Sequence, residues 1–478
     1  MELSIEKLYW GFATLLLSSI ALFVLSQEFI FLFFPALILF VLVCISDFKK
    51  IYYLFFACIP ISVELFFDNG LGTDLPTEPI ALVLTGISIL LFLFRFTEIK
   101  SYYLTHPITC IIVLHIGWIF FSALFSTNGV ISFKYVLAKL WYVIPFWGLS
   151  LYLIRSKATL ETALKVLITA VSLIVLIIIM RHASMDFSFK MANKSAHPMF
   201  RNHVIYASLL VLLFPFVWYF FKHSNNKKYW IAIGVVLFCG IYFSYTRAAY
   251  ASIFILIGAY FVIKWKIAKW LIFISIFLGS MLIFNLVQDN KYLDFAPDYS
   301  KTVTHYKFNN LLEATIKLED ISTMERVYRW VAGVQMVKDK PFIGFGPGCF
   351  HDNYKDYVVS SFRTYVSDNP DKSGIHNYFF MTWVEQGVFG LLLILFLCIY
   401  PIIYGENLYH RLKDKKEKDM LIAALLFLVG FDAILLINDL VETDKLGSLF
   451  WFNLAIITSI GIRYNEEKTT HQVSNSNH

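Results

Sequence analysis

Charge is scarce in this chain: 15% of its 478 residues are Asp, Glu, Lys or Arg, while 58% are hydrophobic. Soluble domains carry about 25% charged residues, so a soluble enzyme is excluded. Cysteine is sparse and scattered. Cys44, Cys58, Cys110, Cys239, Cys349 and Cys398 lie far apart and mostly inside apolar runs, which gives neither a disulfide framework nor a thiolate metal site. No Asp-x-Asp pair occurs, so a metal-bound nucleotide-sugar site has no support. Gly344-Phe345-Gly346-Pro347-Gly348 lacks the Lys-Ser/Thr of a phosphate loop and reads as a turn closing a helix. Nothing repeats at a fixed period. The net charge of +6 does not imply nucleic acid, because Lys and Arg in membrane proteins collect in cytoplasmic loops.

Aromatic and aliphatic side chains fill the space that charge leaves. The sequence holds 48 Phe, 27 Tyr and 11 Trp, and its apolar runs repeatedly reach the roughly 20 residues that cross a bilayer. Runs fall near 10–26, 29–46, 51–66, 79–95, 107–125, 133–154, 160–180, 203–221, 229–245, 247–263, 268–286, 376–402, 419–438 and 446–462. The expected fold is an all-α polytopic integral membrane protein with about 12–14 transmembrane helices and one large helical outer loop. The first run, which lacks a small-residue cleavage site, reads as a retained span. The expected organisation is an N-terminal bundle of about eleven spans over 1–286, the large loop over 287–375, a C-terminal bundle of about three spans over 376–462 and a polar tail over 463–478. Alternate short loops are basic, among them Arg155/Lys157, Lys222/Lys227/Lys228, Lys264/Lys266/Lys269 and Arg411 to Lys418. That asymmetry puts these loops in the cytoplasm and the large loop outside. A site on the outer face has no ATP and needs a substrate that is already activated.

Few residues there can carry chemistry. Arg247, in Thr246-Arg247-Ala248 at the outer end of a span, is either an interfacial anchor or an anion clamp, since a guanidinium grips two phosphate oxygens at once. Ser322 and Glu325 are spaced as a capping box, which predicts a helix running to about Lys338 before Pro341. Arg326 and Arg329 then share one face near a helix start that favours anions, or form an ordinary solvated face. His376 opens a span beside Asn377; an imidazole with a pKa of about 6.5 suits a general base, although a lone interfacial histidine is commoner. Glu385, Asp432 and Lys139 lie inside apolar runs, where structural pairing is the favoured reading. Arg181, His182, Lys190, Lys194, His197 and Arg201 add positive charge to another outer loop without metal-ligand spacing. Trp330 and Tyr354 suit sugar stacking, or ordinary packing.

Over roughly 200–400 the chain resembles the O-antigen ligase/O-antigen polymerase superfamily of bacterial membrane glycosyltransferases. The resemblance rests on His376-Asn377 followed after nine residues by Gly387-Val388-Phe389-Gly390, on Thr246-Arg247 at the end of a span, and on Ser322 to Arg326, Trp330 and Pro341-Phe342-Ile343-Gly344-Phe345-Gly346. It implies transfer, without metal or cofactor and with inversion, of a glycan from an undecaprenyl-pyrophosphate-linked donor to a sugar hydroxyl of lipid A-core or another glycan acceptor. The chain would then lie in the bacterial inner membrane, among membrane lipids, with its site facing the periplasm. Carried onto this sequence, the catalytic residues are His376, Arg247 and Arg326, with Asn377 beside them; Arg329, Arg201 and Lys139 are further candidates for substrate binding by their charge. A polymerase or a protein O-oligosaccharyltransferase shares the same chemistry. A transporter of lipid-linked glycan is the alternative of another class, although the paired broken spans of transporters are not evident.

Overall fold

The computed structural model describes residues 5–26, 47–66, 72–94, 101–288, 291, 321–358 and 374–476. Two units divide the chain, residues 1–56 and 57–478. The first contains α1 (Ile5–Ser26) and most of α2 (Phe48–Cys58). The expected span at 29–46 lies outside the described residues.

In the second unit a small antiparallel hairpin, β1 (Val63–Phe66) and β2 (Gly72–Leu75), precedes the helices. The long helices are α3 (Thr77–Phe94), α4 (Pro107–Leu124), α5 (Gly129–Leu153), α6 (Lys157–Ala183), α7 (His203–His223), α8 (Lys227–Tyr242), α9 (Arg247–Trp265), α10 (Ala268–Val287), α11 (Ile321–Asp339), α12 (Tyr378–Arg411), α13 (Lys415–Leu435) and α14 (Asp444–Ser476). Among the described residues, nine helices are long and apolar enough to cross a membrane. The described residues hold almost no sheet, and the protein is an all-α polytopic membrane protein.

One expectation fails. The apolar run at 51–66 is not a span: α2 ends at Cys58, and the run continues through a turn into β1. Pro60 cannot donate a helical hydrogen bond, and eleven helical residues rise only about 16 Å, roughly half a hydrocarbon core. The break is anchored by Lys445 at the start of α14, whose buried ammonium donates to the carbonyls of Ile59 (3.0 Å) and Ser62 (2.8 Å).

Helix starts follow side-chain chemistry. Asn128, Ser156, Asn202, Asn226, Asn377 and Asp414 each stand just before a helix and accept from a first-turn amide that has no partner within the helix. The membrane-spanning segment of α14 is buried, and α7 and α13 pack beside it at the centre. α10 stands at the edge with Trp270, Phe273, Phe277 and Phe284 exposed, as a lipid-facing helix does.

The ends of the helices are sewn together in two groups. At one end the basic loops meet acids: Lys157 pairs with Asp414 (3.1 Å) and Glu417 (3.0 Å), Lys416 with Glu161 (2.6 Å), and Lys222 with Asp419 (2.7 Å). Arg463 joins them by gripping Glu417 through Nε and Nη2, each at 3.0 Å. The opposite end gathers 126–128, 345–353, 374–378 and 439–442.

Candidate functional site

α12 is built around a break. Gly387 has φ 69° and ψ −172°, a conformation that only glycine adopts readily. The loop Pro341–Gly348 lies in the gap as a pseudo-strand. Phe345 N donates to Val384 O (3.1 Å), Gly346 N to Glu385 O (2.8 Å) and Val388 N to Pro341 O (2.9 Å). A Cβ on Gly387 would overlap the Phe342 carbonyl, and one on Gly344 would overlap the Glu385 backbone. Glu385, buried beneath, accepts from Gly348 N (2.9 Å) and Phe350 N (3.0 Å). Its role is to hold the loop, so the two glycine motifs form one interlocked device that aligns α11 with the start of α12.

α11 runs over Ile321–Asp339, as its sequence pattern predicts; the capping-box side chains Ser322 and Glu325 lie outside the described residues. It approaches the turn before α12 closely at Gly333, where a Cβ would strike Ile375 and Phe380. From α11, Arg329 donates to Gly374 O (3.1 Å) and Trp330 Nε1 to Ile375 O (3.1 Å). The next residue, His376, sits at φ 57°, a costly left-handed conformation held by these two bonds on one side. On the other side Asn377 Oδ1 caps α12 by accepting from Phe380 N at 2.9 Å. In this geometry Asn377 positions the start of α12.

His376, Arg326 and Arg329 form one electrostatic group. Burial, then the guanidiniums of Arg329 and Arg326, push the imidazole down to about 4, so it is neutral at pH 7. Arg329 is buried, which makes it no part of a solvated face. Asp439, in the link between α13 and α14, closes the group. Burial and the neighbouring Glu442 raise its carboxyl to about 6, against the lowering influence of Arg329 and Arg326. A Cβ on Gly374 would strike Asp439 Oδ2, so this glycine admits the acid to the histidine turn.

Glu442 in the same link is a hub. Its Oε1 accepts from Tyr135 (2.7 Å), Lys139 (2.6 Å) and Tyr378 (2.8 Å). Lys139 is 3% exposed and Glu442 29%. The lysine is thus paired, and it joins α5 to the start of α12 two residues from His376.

Arg247 begins α9 at the same end of the bundle. Thr246 precedes it and its hydroxyl donates to His203 O (3.3 Å) at the start of α7, while Tyr245 donates to Phe187 O (2.8 Å). Arg201 stands exposed just before the Asn202 cap of α7. Arg181 folds the same loop by donating to His197 O (2.6 Å) and Lys194 O (3.3 Å). Among the described residues no group of three or more His, Cys, Asp or Glu side chains is placed to hold a metal ion.

Asp439, Glu442, Tyr135 and Tyr378 escaped the sequence reading. The available signal was charge: two acids in a short link between apolar runs, and a buried Lys139 that required a partner. Trp330, read as a sugar platform or packing, spends its indole N–H on the histidine turn.

A family model for O-Antigen ligase matches residues 232–395. The matched stretch holds Arg247, Arg326, Arg329, His376, Asn377 and both glycine motifs, and omits Lys139, Arg201, Asp439 and Glu442. No curated protein matches the chain.

Proposed function

We propose, for a chain that carries the O-Antigen ligase domain over residues 232–395, the transfer of a glycan from undecaprenyl pyrophosphate to a sugar hydroxyl of lipid A-core at the periplasmic face of the bacterial inner membrane. The observation that carries this reading is the turn that holds His376 at φ 57° against α11 through Arg329 and Trp330, with Arg326 one helical turn away on the same helix. Cations and a base in one half-buried group suit a substrate that brings its own anionic leaving group.

In the proposed reaction the acceptor oxygen attacks the anomeric carbon from the face opposite the pyrophosphate, with inversion. The bond from that carbon to the phosphate oxygen breaks, and the pyrophosphate leaves with the electron pair. Arg247 and Arg326 stabilise the charge growing on it, and His376 takes or orients the hydroxyl proton. No metal is required, because the guanidiniums supply the positive charge.

The low pKa of His376 fits a base that is switched on by substrate. Two nearby guanidiniums disfavour the imidazolium; a bound pyrophosphate offsets their charge and draws the pKa upward, toward useful basicity. The acid limb of kcat is therefore expected at higher pH than the acid limb of kcat/KM for the donor, which reports the free enzyme near 4. Coincident limbs would contradict donor-assisted activation.

The acceptor is tested in the cell of origin. Deleting the gene is expected to leave envelope glycan full length but unattached. Glycan shortened to single repeats would overturn ligation in favour of polymerisation, and loss confined to glycoproteins would point to protein transfer.

A further inference from the structure

α12 is longer than a bilayer is thick. Its 34 residues rise about 51 Å at 1.5 Å each, whereas a hydrocarbon core spans about 30 Å, the length of roughly 20 helical residues. Counted from the basic end at His410 and Arg411, that core ends near Phe389 to Leu392. The burial pattern agrees. Phe389, Leu392 and Phe396 are exposed, while the side chains from Tyr378 to Gly387 are buried or half-buried. Lipid therefore reaches α12 as far as the Gly387 break and no further.

The Pro341–Gly348 loop enters the helix at that level, where Val388 N donates to Pro341 O (2.9 Å). Phe342, the next residue, is 63% exposed. On α4, Trp118 packs on Phe389 (5.1 Å between ring centroids) and on Phe121 (5.3 Å), and Phe121 packs on Phe125 (5.1 Å). Phe121 and Phe125 are also exposed. Aromatic rings gathered at one depth mark the membrane–water boundary. Lys338, exposed at the end of α11, and Lys340 precede Phe342 and bring ammonium groups suited to lipid phosphates.

We infer that this loop is seated in the bilayer surface at the end opposite the basic loops, with the Phe342 ring among the acyl chains and Lys338 at the phosphates. The inference rests on the membrane-spanning fold and not on the transfer reading. Two features select lipid as the occupant. The Phe342 patch is continuous with the lipid-facing side of α12 at Phe389, Leu392 and Phe396, and cations border it where headgroups would lie. Because the Phe342 carbonyl also meets Gly387, the lipid surface braces the joint that aligns α11 with α12.

The photoreactive residue p-benzoylphenylalanine tests this in the full chain in nanodiscs of phosphatidylethanolamine and phosphatidylglycerol. It is placed in turn at Phe342, at Phe277, exposed on the edge helix α10, and at Lys355, exposed beyond the loop. After irradiation, intact-protein mass spectrometry reads the mass gained, on variants that elute as folded protein. Phospholipid adducts are expected at 342 and 277 and absent at 355. A probe at 342 that takes up no lipid while 277 does, or that crosslinks only within the chain, would overturn the assignment. Equal lipid adducts at 342 and 355 would overturn it as well, since the label would then report collision with lipid and not a seat.

Discussion

His376 and Asp439 respond to pH in opposite senses. The imidazole is lowered from 6.5 to about 4, so its contribution to stability is whole above pH 6.5 and is lost as pH falls through 4. The Asp439 carboxyl is raised from 3.8 to about 6, so its contribution is whole below 3.8 and is lost as pH rises through 6. Between pH 4 and 6 the two slopes offset one another. Asp439→Asn removes one slope and exposes the other: Tm of the variant is expected to fall more steeply than that of the wild type between pH 6.5 and 4.5. Parallel curves would show that these groups do not oppose each other. The Glu442 hub gives a second expectation. Removing this acid strands the buried Lys139 ammonium, so Glu442→Ala is expected to cost about 3–5 kcal/mol in denaturant unfolding, with much of the loss recovered by adding Lys139→Met. A loss below about 1 kcal/mol would mark the pair as an ordinary surface ion pair.

At the scale of elements, the two glycine motifs act as one joint. Gly387 sits at φ 69° against the Phe342 carbonyl, so Gly387→Ala meets both backbone strain and steric overlap. The expected loss is at least about 2 kcal/mol, seen as a lower Tm together with lost transfer, because separating α12 from the Pro341–Gly348 loop releases the histidine turn. Wild-type stability in this variant would refute the interlock. Much of this joint was legible in the sequence as spaced residues: the helix over 321–339 through its periodicity, and the histidine turn through its position at a span edge. Its three-dimensional meaning was not, because the bonds from Phe345 and Gly346 into a broken helix join segments some forty residues apart. The apolar run at 51–66 misled for a related reason. Periodicity counts apolar residues, whereas Pro60 and the pairing of Val63 with Leu75 decide that the helix stops. Glu385 illustrates the converse, since its burial was readable from its apolar neighbours and its backbone partners were not.

Across the whole molecule, the basic loops meet acidic partners at one end and the histidine group forms at the other. That segregation reproduces, in contacts such as Lys157 with Asp414 and Arg463 with Glu417, the alternation of charge read along the chain. Residues far apart in sequence, Lys139 from α5 and Glu442 before α14, reach the site only through this bundling, which is why the acids of the last link escaped a local reading. The most direct measurement of the central claim is glycan transfer by the purified full-length chain in liposomes, supplied with lipid-pyrophosphate-linked glycan and a glycan acceptor, for wild type and His376→Ala. The account predicts that wild type forms glycosylated acceptor and releases an equal amount of polyprenyl diphosphate, while a folded His376→Ala variant still binds donor and forms no product. Product from His376→Ala at the wild-type rate, or donor that only crosses the bilayer unchanged in the wild type, would contradict it.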